Sequence, residues 1–435
     1  MGAEDLASAF CSSSWRDRSA VCALPGPPHR RSTRASRRQR QGRGASWRRM
    51  LLLLCLAWLI TSTDLQLGRC GCLRDGAHDE TIETFGGFLP GRWKWLGGVV
   101  DEEGTIIGIP GQARSVLKIT PRTGEVETFG CLPQGKHKWL RGVLAGDGAV
   151  YCIPAWAESV LKVLPRTNEV HEIGSVPPGR WKWHGGALGA DGAIYGIPAH
   201  ADSVLKIVPS TGEVTTIGPA FEGKWKWYGG LVGRDGAIYG IPYCADSVLK
   251  IVPSTGEVTT IGEGLSGGKW KWHGGVVGPD GAIYGIPAHA EAVLKIVPET
   301  GEVTTIGGPL VGKYKWGGAA VGHDGNIYGF PSSAESVLKI TPRTGDVTTF
   351  GSLPPGTTKW QGGVVGRDGT IYGMPVNSDA VLRISPDTGA VSLLGSPLRC
   401  TKKLSGGVLG GDGAVYGIPM CAKAVLKITP PGASR

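Results

Sequence analysis

The sequence predicts an all-β protein, an eight-bladed β-propeller, from three observations: a long fixed repeat, four short strand-forming runs in each repeat, and a last repeat that lacks its fourth run. The proline of the Y-G-I-P element measures the repeat. It returns at Pro110, Pro154, Pro198, Pro242, Pro287, Pro331, Pro375 and Pro419, 44 residues apart with one interval of 45. A fixed period of roughly 40–50 residues marks stacked supersecondary units. The 72 glycines and 30 prolines among 435 residues fit many turns and few helices.

One repeat shows each element in order. GGVVG (274–278) is a short strand, PDG (279–281) a tight turn, AIYGIP (282–287) a second strand and AHAEA (288–292) a loop. VLKIVP (293–298) is a third strand, ETG (299–301) a turn and EVTTIG (302–307) a fourth strand. Asp-Gly and Thr-Gly are hairpin-turn pairs, and Val, Ile, Tyr and Thr between them favour strands. Four antiparallel strands in about 44 residues make a propeller blade. The eighth unit runs through VLKI (425–428) and stops at PPG, where its fourth strand is due. TIETFG (81–86) matches the fourth-strand pattern VETFG (126–130) and precedes the first unit, so it is expected to complete the last blade and remove the open edge.

The remaining segments divide as follows. Residues 1–49 carry eleven arginines against Glu4, Asp5 and Asp17, so this segment holds +8 of the net +10 and leaves the repeats nearly neutral. A phosphate-tracking surface needs concentrated excess charge, so nucleic acid is not expected as a partner of the propeller. The segment reads as a disordered tail, an organelle-targeting segment or an extension ahead of a start at Met50. MLLLLCLAWLI (50–60), with the small polar residues to 63, reads as the apolar core of a signal peptide or as a signal anchor, short for a span of about 20 residues. These segments imply the secretory pathway, a membrane anchor through 50–63, or import into an organelle. Residues 64–80 are a linker, 81–431 the propeller and 432–435 a tail. Beyond residue 63 seven cysteines remain, too few for a disulfide scaffold; Cys400 and Cys421, on one face of blade eight, are the candidate disulfide.

GPDGAIYGIP (278–287) followed by VLKIVPETGEVTTIG (293–307) resembles the propeller superfamily that includes the streptogramin lyases and gluconolactonase-like proteins, and the likeness runs through all eight units. It implies a six- to eight-bladed propeller and, as one alternative, a metal-assisted lyase or hydrolase, with no catalytic His or Glu assignable to a position here. The Gly-Gly doublets (Gly97/Gly98, Gly185/Gly186, Gly274/Gly275) are similar to those of kelch repeats, but the tryptophan comes before the doublet. W-K-W…G-G…Y-G-I-P arrays also resemble those of proteins from unicellular algae. No nucleophile triad, phosphate loop or dinucleotide motif occurs.

Blade topology places the entry to the innermost strand and the loop between the second and third strands on one face. Two columns there vary while the scaffold repeats. The residue after the tryptophan reads Leu96, Leu140, His184, Tyr228, His273, Gly317, Gln361, Ser405; the residue two past the proline reads Gln112, Trp156, His200, Cys244, His289, Ser333, Asn377, Cys421. Variation on one face of a fixed scaffold is where specificity sits. The expected ligand-binding residues are therefore His184, His200, Tyr228, Cys244, His273, His289, Trp156, Gln361 and Asn377, in loops near the channel. The ligand is a glycan, small molecule or protein, and the propeller is expected to be a monomer. No cofactor is expected on this reading. The alternative is a divalent metal on His184, His200, Asp202, His273, His289 and Glu291, types suited to zinc.

Each candidate also has a structural reading. The indoles of Trp95, Trp139, Trp183, Trp227, Trp272, Trp316 and Trp360 either stack on ligands, with Lys94, Lys182, Lys226 and Lys271 beside them, or wedge between blades; Trp93, Trp181, Trp225 and Trp270 are the more exposed of each pair. Asp147, Asp191, Asp235, Asp280, Asp324, Asp368 and Asp412 suit their Asp-Gly turn better than calcium. Glu158, Asp202, Asp246, Glu291, Glu335 and Asp379 cap a loop and pair with the W-K-W lysines. The eight third-strand cations, Lys118 to Lys427 with Arg383 among them, are expected to snorkel and to pair across the hairpin with glutamates such as Glu257.

Overall fold

The computed structural model describes residues 80–265 and 268–432, so the expectations for residues 1–79 and for the last three residues lie outside the described residues. Eight four-stranded sheets follow one another. Blade one is β2 (Trp95–Val100), β3 (Ile106–Pro110), β4 (Val116–Thr120) and β5 (Glu125–Phe129), each antiparallel to the next. The same pattern repeats through blade seven, β26 (Trp360–Val365) to β29 (Val391–Gly395). Blade eight takes β30 (Leu404–Leu409), β31 (Val415–Pro419) and β32 (Val425–Thr429) from the end of the chain and β1 (Thr81–Phe85) from its beginning. The last register runs from Thr81↔Thr429 to Phe85↔Val425, so the N-terminal strand closes the ring as expected. Glu80 extends the closure, its Oε1 3.2 Å from Arg383 Nε and its Oε2 accepting the Tyr372 hydroxyl at 3.0 Å.

Burial peaks at the second strand of each blade and falls off outward from it. The second strands, such as Ile194–Pro198, are buried throughout, whereas outer strands such as Glu213–Ile217 have only exposed and half-buried positions. The glycine of Y-G-I-P makes room for the third-strand leucine, with the first-strand indole beside it: a Cβ at Gly285 would stand 2.9 Å from Leu294 Cβ and 3.4 Å from Trp272 Cγ. The first-strand tryptophans are buried between blades, and each Nε1 donates to a carbonyl twenty residues on, as from Trp139 to Ser159 at 2.8 Å and from Trp272 to Ala292 at 2.9 Å. These indoles are scaffold.

The turn side repeats one device. In blade five Asp280 Oδ2 accepts the Tyr284 hydroxyl at 2.7 Å, Oδ1 accepts the Ala282 amide at 3.3 Å, and Lys295 Nζ stands 3.9 Å away. The same aspartate–tyrosine–lysine set forms at Asp147, Asp191, Asp235 and Asp412. The expected cross-hairpin pairing with glutamate holds in blade one, where Lys118 lies 3.5 Å from Glu127 opposite it, but not at Glu257: Lys250 lies 3.4 Å from Asp235, and the register puts Thr259 opposite it.

Candidate ligand-binding site

The innermost strands β2, β6 (Trp139–Leu144), β10 (Trp183–Leu188), β14 (Trp227–Val232), β18 (Trp272–Val277), β22 (Trp316–Val321), β26 and β30 succeed one another around the central channel. Each carries one extra residue against its partner; in β6, Trp139 pairs Pro154 while Gly142 pairs Cys152. Such a bulge re-aims side chains and favours a positive φ. The position is glycine in seven blades, for example Gly185 (φ 78°) and Gly274 (φ 71°), and Arg141 (φ 67°) in blade two. Just ahead, the first residue of every W-K-W element is also left-handed: Trp93, His137, Trp181, Trp225, Trp270, Tyr314, Thr358 and Lys402 have φ between 46° and 67°.

That left-handed turn sends the central lysine inward and sets the residue before it over the channel mouth. Lys94, Lys138, Lys182, Lys226, Lys315 and Lys359 are buried, and each donates to a carbonyl of the preceding blade, for instance Lys182 Nζ to Ala157 at 2.6 Å and Lys226 Nζ to Ala201 at 2.7 Å. Lys271 and Lys403 reach Asp246 (3.5 Å) and Asp379 (3.1 Å), the pairing expected of that carboxylate column. Burial pulls the pKa of Lys94, Lys138, Lys182, Lys226 and Lys315 down to about 8, so they remain ammonium staples at neutral pH. They are not open to a ligand.

The side chains over the mouth make a collar. Ring centroids are 5.7 Å apart for Trp93–His137, 4.8 Å for His137–Trp181, 5.4 Å for Trp181–Trp225 and 5.9 Å for Trp225–Trp270. Trp93 and His137 are buried, while Trp181, Trp225, Trp270 and Tyr314 are half-buried, so blades three to six present aromatic faces; Thr358 and Lys402 complete the circle. The column two past the proline supports the collar from the neighbouring blade. Trp156 packs on Trp181 (5.8 Å), His200 on Trp225 (4.5 Å) and His289 on Tyr314 (4.2 Å). The backbone amide of Cys244 donates to Trp225 O at 3.0 Å. Asn377 acts differently: its Oδ1 accepts the Lys402 amide at 3.0 Å and its Nδ2 donates to Thr357 O at 3.2 Å, holding a turn.

Below the collar the column after the tryptophan stacks from blade to blade. Tyr228 lies between His184 (3.7 Å) and His273 (4.1 Å), and Tyr243 closes on Tyr228 at 5.1 Å. His273 and Gln361 approach each other over bare Gly317, where a Cβ would meet Gln361 Cγ at 3.1 Å and His273 Nδ1 at 3.8 Å. His184 and His273 therefore stand on strands β10 and β18, a correction to the expectation that all four histidines occupy loops. The six residues of the metal alternative are not brought into one set: His184 and His273 flank Tyr228, while His200 and His289 back different collar members. Among the described residues no three His, Cys, Asp or Glu side chains are grouped to hold an ion. Cys400 and Cys421, the candidate disulfide, are free thiols, and burial followed by neighbours that include Cys421 raises the Cys400 thiol.

Burial, and then the charge of Arg141, holds His273 down to about 4; the same causes together with His273 hold His184 well below the usual histidine value. Burial followed by the neighbouring lysines lowers His200 (Lys224, Lys226) and His289 (Lys315, Lys313) to about 4. All four are neutral imidazoles at neutral pH, and the buried Nε2 atoms of His200 and His289 find no hydrogen-bond partner among the described residues. Beside the collar, Phe221, Lys224, Cys244 and Asp246 help to line an open groove of about 370 Å³.

Two contributors escaped the sequence reading although each left a mark. Arg141 interrupts the glycine doublet as LRG, and Tyr243 fills a column otherwise Gly111, Ala155, Ala199, Ala288, Ser332, Val376 and Met420.

Known proteins agree with this architecture. A family profile described as a repeat of unknown function (DUF6923) matches residues 186–328 and, overlapping, 233–364. The chain is an eight-bladed propeller resembling the streptogramin-lyase superfamily. A streptogramin B lyase superposes with a TM-score of 0.54 at 14% identity, over 81% of this chain and 98% of that one. A catalytically inactive virginiamycin B lyase from Staphylococcus aureus with quinupristin gives 0.53 at 14% over 81% and 99%. Hydrazine synthase of Kuenenia stuttgartiensis gives 0.50 at 15% over 80% and 98%. At these identities the likeness concerns the fold. No curated protein matches the sequence.

Proposed function

We propose that the protein is a secreted or membrane-associated binding propeller that recognises a glycan at the collar face of its channel. The observation that carries this reading is the half-exposed arc of Trp181, Trp225, Trp270 and Tyr314, in ring contact along its three tryptophans and backed by imidazoles. Indole faces stack on the apolar face of a sugar ring and lose little entropy in doing so, having few rotatable bonds. Delivery to the secretory pathway through residues 50–63 belongs to the same proposal. The test is binding of the purified propeller to an oligosaccharide array, read beside Trp225→Ala and Trp270→Ala. Binding by the parent protein that falls at least about tenfold in each variant, measured at a temperature where both variants remain folded, supports the reading; binding that ignores both substitutions removes the collar as the site.

A further inference from the structure

The charges around the collar carry the reading further. The residue ahead of each left-handed position is cationic in six blades: Arg92, Lys136, Arg180, Lys224, Lys269 and Lys313, all exposed. Four of them act on groups that back the collar. Arg180 stands 4.8 Å over the Trp156 ring, Lys224 and Lys313 depress His200 and His289, and Lys269 acts on Cys244. None of the six forms an ion pair with a described residue, whereas Asp246 and Asp379 are drawn to the buried lysines. A charge crown is normally a solvated rim, worth little by itself. What distinguishes this one is the cation set inside it.

Arg141 occupies a bulge position that is glycine in the other seven blades, and a left-handed backbone is unfavourable for an arginine. Its side chain uses the room the glycines leave. A Cβ at Gly97 would stand 3.2 Å from Arg141 Cδ and 3.4 Å from Nη1, and one at Gly406 would stand 3.9 Å from Nη1. The guanidinium thus extends from blade two across bare backbone toward blades one and eight, and its charge is felt at His184, Tyr228 and His273. No described carboxylate or carbonyl partners it. A guanidinium offers a planar fork of donors matched to carboxylate or sulfate oxygens.

We infer that the ligand is an acidic oligosaccharide, with one sugar stacked on the collar, its flanking anions met by the crown, and one carboxylate or sulfate directed into the channel onto Arg141. Arg141 is then the residue that sets specificity for charge. This inference rests on the collar being the glycan site, and the experiment separates the two.

Calorimetric titration of the propeller with an oligogalacturonate and with its uncharged methyl ester, and with a sulfated galactan oligomer and its desulfated form, compares the same sugars with and without charge. At least one charged probe is expected to bind about tenfold or more tightly than its neutral form, the usual yield of a hydrogen-bonded ion pair. Arg141→Gly, which restores the glycine of the other blades and so keeps the fold, is expected to lose most of that preference, the charged form falling to about the affinity of its neutral counterpart. Arg141→Lys is expected to retain part of it. Which pair discriminates tells carboxylate from sulfate. Equal binding of charged and neutral forms in both pairs would leave the collar reading standing and overturn this one. Full discrimination by Arg141→Gly would remove Arg141 as the selector, and binding of no probe would count against both readings.

Discussion

The two faces of this propeller are built from the same eight repeats by opposite rules. On the turn side, an aspartate, a tyrosine and a lysine recur with nearly unchanged geometry, the hydroxyl-to-carboxylate distance being 2.7–2.8 Å in blades two to six and eight. At the mouth, equivalent positions hold Leu96, His184, Tyr228 or Gln361, and one bulge holds an arginine where seven hold glycine. Repetition tracks the contacts that join a blade to itself and its neighbour; departure from it tracks the open channel. The difference teaches that in a repeat protein the informative residue is the one that breaks its column where backbone geometry argues against it.

The comparison can be broken, and the largest effect is expected at closure. Deleting residues 80–86 removes β1 and the Glu80 contacts to Tyr372 and Arg383, leaving an open edge on β32. Loss of soluble protein on size-exclusion chromatography and a much lower melting temperature are expected; unchanged behaviour would mean the ring holds without it. Next come paired substitutions within one W-K-W element. Trp272→Ala, at a buried indole 2% exposed, should cost about 3–5 kcal/mol in denaturant unfolding, the usual effect of removing a large core aromatic. Trp270→Ala, two residues away in the collar, should cost less, about 2 kcal/mol, since one part of its half-buried indole still faces water. Equal losses would erase the distinction between scaffold and mouth.

Acid should act selectively on the mouth. His200, His273 and His289 are held at about 4 in the fold, against about 6.5 in an unfolded chain, so between these values the unfolded state binds more protons. Their contribution is complete above pH 6.5 and is lost as the pH falls toward 4. The melting temperature should drop by several degrees over that window, and Asn at all three positions should flatten the drop. A slope unaffected by those replacements would assign the acid sensitivity elsewhere.

Two smaller effects sharpen the contrast. Tyr284→Phe deletes one 2.7 Å hydrogen bond of the repeated device and should cost about 1 kcal/mol, with Tyr195→Phe and Tyr239→Phe the same within error. Arg141→Gly should move the other way, stabilising the fold by about 1 kcal/mol as the left-handed strain is relieved. A destabilised Arg141→Gly would make the arginine a structural member of the ring.

The fold was legible because its determinants are local and repeated: the proline ruler, the Asp-Gly turn and the missing eighth outer strand each appear in plain order. Even the swap of β1 into blade eight follows from counting strands. The two variable columns were legible too, and they do converge on the mouth. What they touch was not. Nothing in the letters W-K-W reveals that the first residue is left-handed, and that single dihedral decides that the lysine goes inward as a staple while Trp270 faces the mouth. The stacking of His184 and His273 on Tyr228 joins residues 44 and 45 positions apart through ring geometry that period alone does not give. Arg141 stood in view but outside the columns chosen for their variability.

The closing strand also constrains how the protein is made. Thr81 pairs with Thr429, so the first propeller strand to leave the ribosome is the last to find its partner. Seven blades can assemble in order of synthesis while TIETF waits as an unattached ribbon. Its composition suits that wait. Thr81, Glu83 and Thr84 lie on exposed positions in the finished ring, and a polar, charged ribbon resists pairing with copies of itself. Lys427, opposite Glu83 in the final register, gives it an electrostatic address. Closure of the ring is thus an event of recognition, in which the oldest propeller strand is matched to the newest.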